Sequence, residues 1–133
     1  MSFTQYSDAA GKLVLRLTVG GLMLFHGIFK IFNGVDGIMN LFASKGIPVF
    51  LAYFAYLGEV VAPILLIIGF YTRISALLLG GTIVIAVLTA HTADISTLTR
   101  SGAWGIELQA FYILGALAIF FLGGGRYSVD GGR

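Results

Sequence analysis

The chain has 133 residues, of which 58% are hydrophobic and 11% charged, with a net charge of +2 and a mean hydropathy of +0.97. An average soluble domain carries about 25% charged residues, so we expect an integral membrane protein with a single domain over residues 1–133. The absence of cysteine excludes disulfides, redox-active thiol pairs and thiolate-bound clusters or zinc. The small, scattered charge argues against a nucleic-acid partner and leaves the lipid bilayer and other membrane proteins.

The first apolar segment, residues 13–32, predicts a membrane-spanning helix that stays in the mature protein, because it lacks the pattern of a removed signal peptide. We expect the Arg16 side chain to reach the lipid headgroups along its alkyl stem. His26 lies about 9 Å inside the segment by helical rise. It shares a helix face with Lys30, either as a cationic pair that clamps a carboxylate or anionic ligand, or as two unrelated interface residues.

Residues 33–46 are too polar and too short to span a membrane. Their apolar side chains recur at helical spacing, which predicts a short amphipathic helix in the membrane interface, between the first and second spans. A lid over a cavity of the bundle is the functional alternative. Gly46 and Pro48 supply the end of this helix and the start of the next one.

The second span, residues 48–71, carries one formal charge, Glu59, near its middle. Ala52, Ala55 and Ala62 share its helical face, so we expect the carboxyl to point toward protein rather than lipid. Pro63 lacks an N–H group and clashes with the carbonyl of the residue four positions back, which is Glu59. The sequence therefore predicts a kink there, with room for a ligand or water.

The third span, residues 74–92, has no formal charge and ends near His91. The fourth, residues 104–122, begins at Trp104 and carries Glu107 in its first turn. Together the segments predict an all-α bundle of four membrane-spanning helices with one short amphipathic helix. Four spans put both termini on one side, and the bias of lysine and arginine toward that side predicts cytoplasmic termini in a bacterial inner membrane.

In this topology Glu59 lies near the bilayer midplane, and we expect all four helices to contribute to one polar cluster around it. A charge at the bilayer centre costs about 2.5 to 3.5 kcal/mol on insertion scales. We therefore predict a Glu59 carboxyl that is neutral for much of the time and hydrogen-bonded to His26 or Tyr56. The other predicted members of the cluster are Lys30, His91 and Glu107.

Each of these residues also has a structural interpretation. The Glu59 carboxyl could serve only as a polar contact that joins helices, and His91 could be an ordinary histidine of the membrane interface. The helix dipole alone favours Glu107 in a first turn, and Tyr56 is one of many aromatic residues. A bis-histidine haem, or a metal held by both histidines and a glutamate, is the less favoured arrangement. We therefore predict no metal and no covalent cofactor.

Several short motifs follow one another along the chain. They are Arg16, His26-Gly27 with Lys30, Gly58-Glu59, LIIGFYTR at 66–73, His91, and GRYSVD at 125–130. In this order and spacing they make the chain similar to the DoxX family of small bacterial membrane proteins, over nearly its whole length. The resemblance implies a four-helix membrane bundle. It also implies residence beside redox systems, since family names come from a terminal quinol oxidase and a thiosulfate:quinone oxidoreductase.

We therefore predict an integral membrane component of a quinone-linked redox complex, as a homo-oligomer or in complex with a redox subunit. Glu59 and His26 would handle protons, since a desolvated carboxyl beside a histidine is suited to receive one from a quinol. Quinone is the cofactor expected, and the residues predicted to bind it are Lys30, Tyr56, His91 and Glu107. The alternatives are a non-catalytic assembly or anchor subunit, and a small-molecule binder or permease.

Overall fold

The computed structural model describes residues 2–132, in which five helices carry most of the chain. Their bounds are Phe3–Asn33 (α1), Asp36–Ser44 (α2), Val49–Ile68 (α3), Thr72–Ala90 (α4) and Glu107–Leu122 (α5). A short 3₁₀ helix, Thr92–Ser96, follows α4, and no β-strand occurs among the described residues. The all-α class is therefore confirmed.

Three helices, α1, α3 and α4, are long and apolar enough to cross a membrane. The last helix, α5, is also apolar, but it has only 16 residues. The structure is thus that of a membrane helical bundle with three or four apolar helices. The exact number of spans stays a prediction.

Helix α1 begins at Phe3, well before the start at residue 13 that the hydropathy of the sequence predicts. Ser2 and Gln5 form a capping box at its start: each side chain accepts a hydrogen bond from the other's backbone N–H, at 3.0 and 3.2 Å. One turn on, Lys12 forms an ion pair of 2.9 Å with Asp8, four residues away. The capping hydrogen bonds and this ion pair therefore extend the helix through polar residues that precede its apolar part.

The main hydrophobic core lies where α1, α3, α4 and α5 meet. Met23 of α1, Leu66 of α3, Leu79 of α4 and Ile119 of α5 are all fully buried in it. A second, smaller cluster of Val35, Phe42 and Ala52 attaches α2 to the start of α3. The amphipathic segment therefore packs its apolar face against the bundle.

Helix α3 is irregular along its length. It starts with a 3₁₀ segment, Val49–Tyr53, and widens to a π-helical turn over Leu57–Val61, which carries Glu59. Regular α-helix resumes over Ala62–Ile68, with Pro63 in its first turn. Because proline cannot donate to the carbonyl four residues back, a wide turn before it relieves the clash. The predicted disturbance at Glu59 thus takes the form of a π-turn.

Candidate functional site

Arg16 is buried, with 1% of its surface exposed. Its Nε donates a hydrogen bond to the carbonyl of Leu66 (2.9 Å) and Nη2 to that of Ile67 (3.1 Å). Nη1 donates to the carbonyls of Gly124 (2.7 Å) and Tyr127 (2.8 Å). The prediction that Arg16 reaches the lipid headgroups is therefore wrong. Carbonyls at a helix end have no partner within the helix, and here they accept from the guanidinium.

The second buried charge is Glu59, whose Oε1 lies 2.8 Å from Nζ of Lys30. The two side chains are 8% and 22% exposed, so the ion pair lies largely inside the protein. Gly27 allows this contact, because a Cβ at that position would overlap the backbone carbonyl of Glu59. The close crossing of α1 and α3 brings Lys30, less than one turn further on, level with the carboxylate.

The partner expected for Glu59 is therefore different from the one observed. The sequence predicts a hydrogen bond with His26 or Tyr56, whereas Lys30 forms the bond. Tyr56 instead donates its hydroxyl to the backbone carbonyl of Lys30 at 3.0 Å, which fixes the last turn of α1 against α3.

The Lys30–Glu59 pair forms part of the wall of a cavity of about 450 Å³. This cavity lies between α2, α3 and α4, and apart from the ion pair its polar lining is limited to Thr82, Thr89 and His91. The remaining walls are apolar, with contributions from each of the three helices. Residues of this apolar lining include Ile38, Leu41, Phe42, Leu51, Phe54 and Ile85.

Gly58 and Thr82 form the closest approach of α3 and α4 at one end of the cavity. A Cβ on Gly58 would overlap the Thr82 side chain, whose hydroxyl donates to the carbonyl of Leu78 at 2.8 Å. The two helices therefore touch here, and the cavity lies on the side toward α2. Gly58 precedes Glu59 directly, so the segment that contacts α4 also supplies the carboxylate of the cavity.

His91 lies at the edge of the cavity, directly after the last residue of α4 rather than inside the helix. Its Nδ1 is 3.1 Å from Oδ2 of Asp94, and both side chains are partly exposed. The sequence analysis did not single out Asp94 as a site residue. Its spacing of three residues from His91, across a helix end, is the signal that would have found it.

His26 and Glu107 do not line the cavity. The His26 side chain is exposed, and its ring meets that of Tyr112 edge to face, with centroids 5.9 Å apart. Glu107 is exposed in the first turn of α5. The expected cluster from all four spans is thus smaller, because α5 contributes nothing to it. Within residues 2–132, no three histidine or carboxylate side chains come together as a metal site requires.

Comparison with known proteins gives one family and two relatives. The DoxX family model matches residues 11–92, which include Lys30, Glu59 and His91. A Bacillus subtilis (strain 168) protein named "Putative oxidoreductase CatD" is 35% identical over 79 residues, which cover 59% of this chain and 58% of that protein. The chain thus matches less than two thirds of the Bacillus protein.

A Haemophilus influenzae protein, named "Uncharacterized protein", is 31% identical over 116 residues. This match covers 87% of the chain and 85% of the relative. No solved structure matches the chain. The similarity therefore extends over most of the length of the Haemophilus relative and over a little more than half of the Bacillus relative.

Proposed function

Because the chain belongs to the DoxX family of membrane proteins, we propose that it is a component of a quinone-linked redox complex in the bacterial plasma membrane. The cavity between α2, α3 and α4 would hold the quinone headgroup. One observation carries this proposal: the buried Lys30–Glu59 pair puts a cation and a proton acceptor on the wall of an otherwise apolar cavity. The name of the Bacillus relative, which describes an oxidoreductase, points toward redox chemistry as well.

A quinone headgroup has two carbonyl oxygens on an apolar ring, and the cavity offers partners for both parts. The Lys30 ammonium has further N–H donors besides the one that holds Glu59. One of them binds a carbonyl oxygen of the quinone while the ion pair stays in place. The ring then lies against apolar side chains such as Phe42 and Leu51. Recognition by a few polar groups in an apolar pocket is typical of small-molecule sites.

Oxidation of a quinol removes two electrons and two protons. In this proposal the Glu59 carboxylate accepts one proton from the hydroxyl that Lys30 positions, passes it on toward water, and then accepts the second proton in the same way. The electrons pass to a flavin, haem or iron–sulfur centre on a partner subunit. His91 lies at the partly exposed edge of the cavity with Asp94 beside it, and this pair would pass each proton to water. The proposal includes four spans with cytoplasmic termini, as the distribution of basic residues favours.

A second candidate function is a non-catalytic assembly subunit, in which the Lys30–Glu59 pair only joins α1 to α3. It is favoured by the tight packing of Gly27 on the Glu59 carbonyl, which serves helix association by itself. The two candidates differ in what the cavity binds. A quinone site needs Lys30 for the ligand, whereas an assembly subunit needs it only for the helix contact.

Photolabelling with an azidoquinone, on protein reconstituted in lipid vesicles, tests the proposed function. Lys30→Met removes the donor to the quinone oxygen, and we expect cavity labelling to fall about tenfold, because hydrogen bonds to charged groups contribute about 1.5–3 kcal/mol. Lys45→Met is the matched control, since this lysine is exposed outside the cavity. Wild-type protein without labelling, or equal labelling of both variants, would contradict the proposal.

A further inference from the structure

The cavity has walls of two kinds, which differ in exposure. Phe42 and Ala52, on the side toward α2, are buried, with exposed fractions of 7% and 1%. Phe54 of α3 and Ile85 of α4 also line the cavity, yet they are 57% and 56% exposed. A residue that lines a cavity and is also exposed lies at its mouth. The cavity is therefore closed toward α2 and opens sideways, between α3 and α4.

This sideways mouth lies on the flanks of membrane-spanning helices, and it is distinct from the partly exposed edge at His91. Both Val49–Ile68 and Thr72–Ala90 are long and apolar enough to cross a membrane. Ile85 lies five residues before the end of α4, which is about 7 Å along the helix axis. In the proposed topology, lipid chains surround the helix at this level. A ligand that passes between Phe54 and Ile85 therefore comes from the bilayer.

The close contact of Gly58 with Thr82 explains why a gap exists at this level. These residues bring α3 and α4 into contact beside the ion pair, since Thr82 and Glu59 both line the cavity. The 3₁₀ segment Val49–Tyr53 and the π-turn Leu57–Val61 lie on either side of Phe54, so α3 is not a regular α-helix at the level of the mouth. A regular helix at the same crossing would keep its side chains packed along α4.

We propose that the ligand of this cavity is a quinone with an isoprenoid tail, which enters sideways from the bilayer between Phe54 and Ile85 and leaves its tail in that gap. This inference rests on the proposed function and specifies the substrate class and its route. The head binds at Lys30 and Glu59, in the interior of the cavity. The tail contacts the apolar mouth and the lipid, so Phe54 and Ile85 determine specificity for tailed quinones.

Two photoreactive probes test the route: an azidobenzoquinone with a decyl tail and the same headgroup without a tail. Ile85→Trp fills the mouth, and we expect labelling by the decyl probe to fall about tenfold, equivalent to about 1.4 kcal/mol, while the tailless probe labels as in wild type. Leu88→Trp is the matched control, because Leu88 lies on the same helix, is 61% exposed and does not line the cavity. It should leave both probes unchanged.

Phe54→Ala serves as a second variant, since it widens the mouth without adding bulk. We expect it to speed labelling by the decyl probe and to leave the tailless probe unaffected. Equal loss of both probes in Ile85→Trp, or the same loss in Leu88→Trp, would overturn the sideways route but leave the quinone function in place. Failure of wild-type protein to bind either probe would overturn the proposed function itself.

Discussion

Two basic side chains of α1, Arg16 and Lys30, both point into the protein, but their surroundings differ. Arg16 donates four hydrogen bonds to backbone carbonyls and is 1% exposed. Lys30 has one side-chain partner, Glu59, and faces a cavity of about 450 Å³. Buried polar groups are normally satisfied. The Arg16 donors therefore join parts of the chain to one another, whereas the Lys30 ammonium, which faces the cavity, has N–H donors besides the one bonded to Glu59.

The Arg16 site joins three parts of the chain at the end of α3. Gly69, which ends that helix with φ of +78°, has no space for a Cβ between Arg16 and Ser128. The tail that follows α5 is bonded to the same helix end, since the amide of Val129 donates to the carbonyl of Ile68 at 3.0 Å. Arg16 thus fixes the C-terminal tail to the bundle, which is a structural role.

The largest effect on stability is expected for Arg16→Met. This change leaves four carbonyls without their donor, and buried unsatisfied groups cost about 1–3 kcal/mol each. With partial relaxation we expect a loss on the order of 3 kcal/mol or more, measured as a lower thermal unfolding midpoint in detergent. Arg100→Met is the control, because Arg100 is exposed in the loop before α5. If both variants unfold like wild type, Arg16 has no structural role of this kind.

A smaller effect on stability is expected at the ion pair, and here the double variant should be less destabilised than the single one. Lys30→Met leaves the Glu59 carboxyl without its cation, and loss of one partner of a buried pair is destabilising. Replacement of both residues, Lys30→Met with Glu59→Met, removes the unpaired group as well. Well-packed apolar replacements of buried ion pairs are often neutral or stabilising, so we expect the double variant to regain most of the stability by thermal unfolding.

The same double variant separates the two candidate functions. If the pair serves quinone chemistry, the double variant is stable but is no longer labelled by the azidoquinone. If the pair is only a helix contact, quinone labelling is absent already in wild type and the pair contributes to assembly alone. A double variant as unstable as Arg16→Met would contradict the functional interpretation of the Lys30–Glu59 site.

Much of the fold could be predicted from sequence periodicity and composition. Apolar segments that are longer than the helices of soluble proteins predict membrane spans. The spacing of Ala52 and Ala62 around Glu59 correctly predicts that the Glu59 carboxyl points inward. Pro63 predicts a disturbance of α3 at Glu59, which is present as a π-turn. Local signals of this kind depend only on neighbouring residues, so one sequence is sufficient to interpret them.

The partners of the buried charges could not be predicted, because they depend on how helices cross. Gly27 brings α1 close enough to α3 for Lys30 to reach Glu59. The sequence alone does not indicate which residue packs against this glycine. The partners of Arg16 are carbonyls from distant parts of the chain, up to 111 positions away. Carbonyls occur at every residue and leave no pattern in the sequence.

Infrared difference spectroscopy on reconstituted protein tests most directly whether Glu59 accepts a proton from a quinol. We expect quinol addition with an electron acceptor to produce a protonated carboxyl band that is absent in Glu59→Gln. The band should persist in Asp36→Asn, a carboxylate replacement at an exposed position of α2 outside the cavity. A band that remains in Glu59→Gln, or no carboxyl band in wild type, would contradict the account.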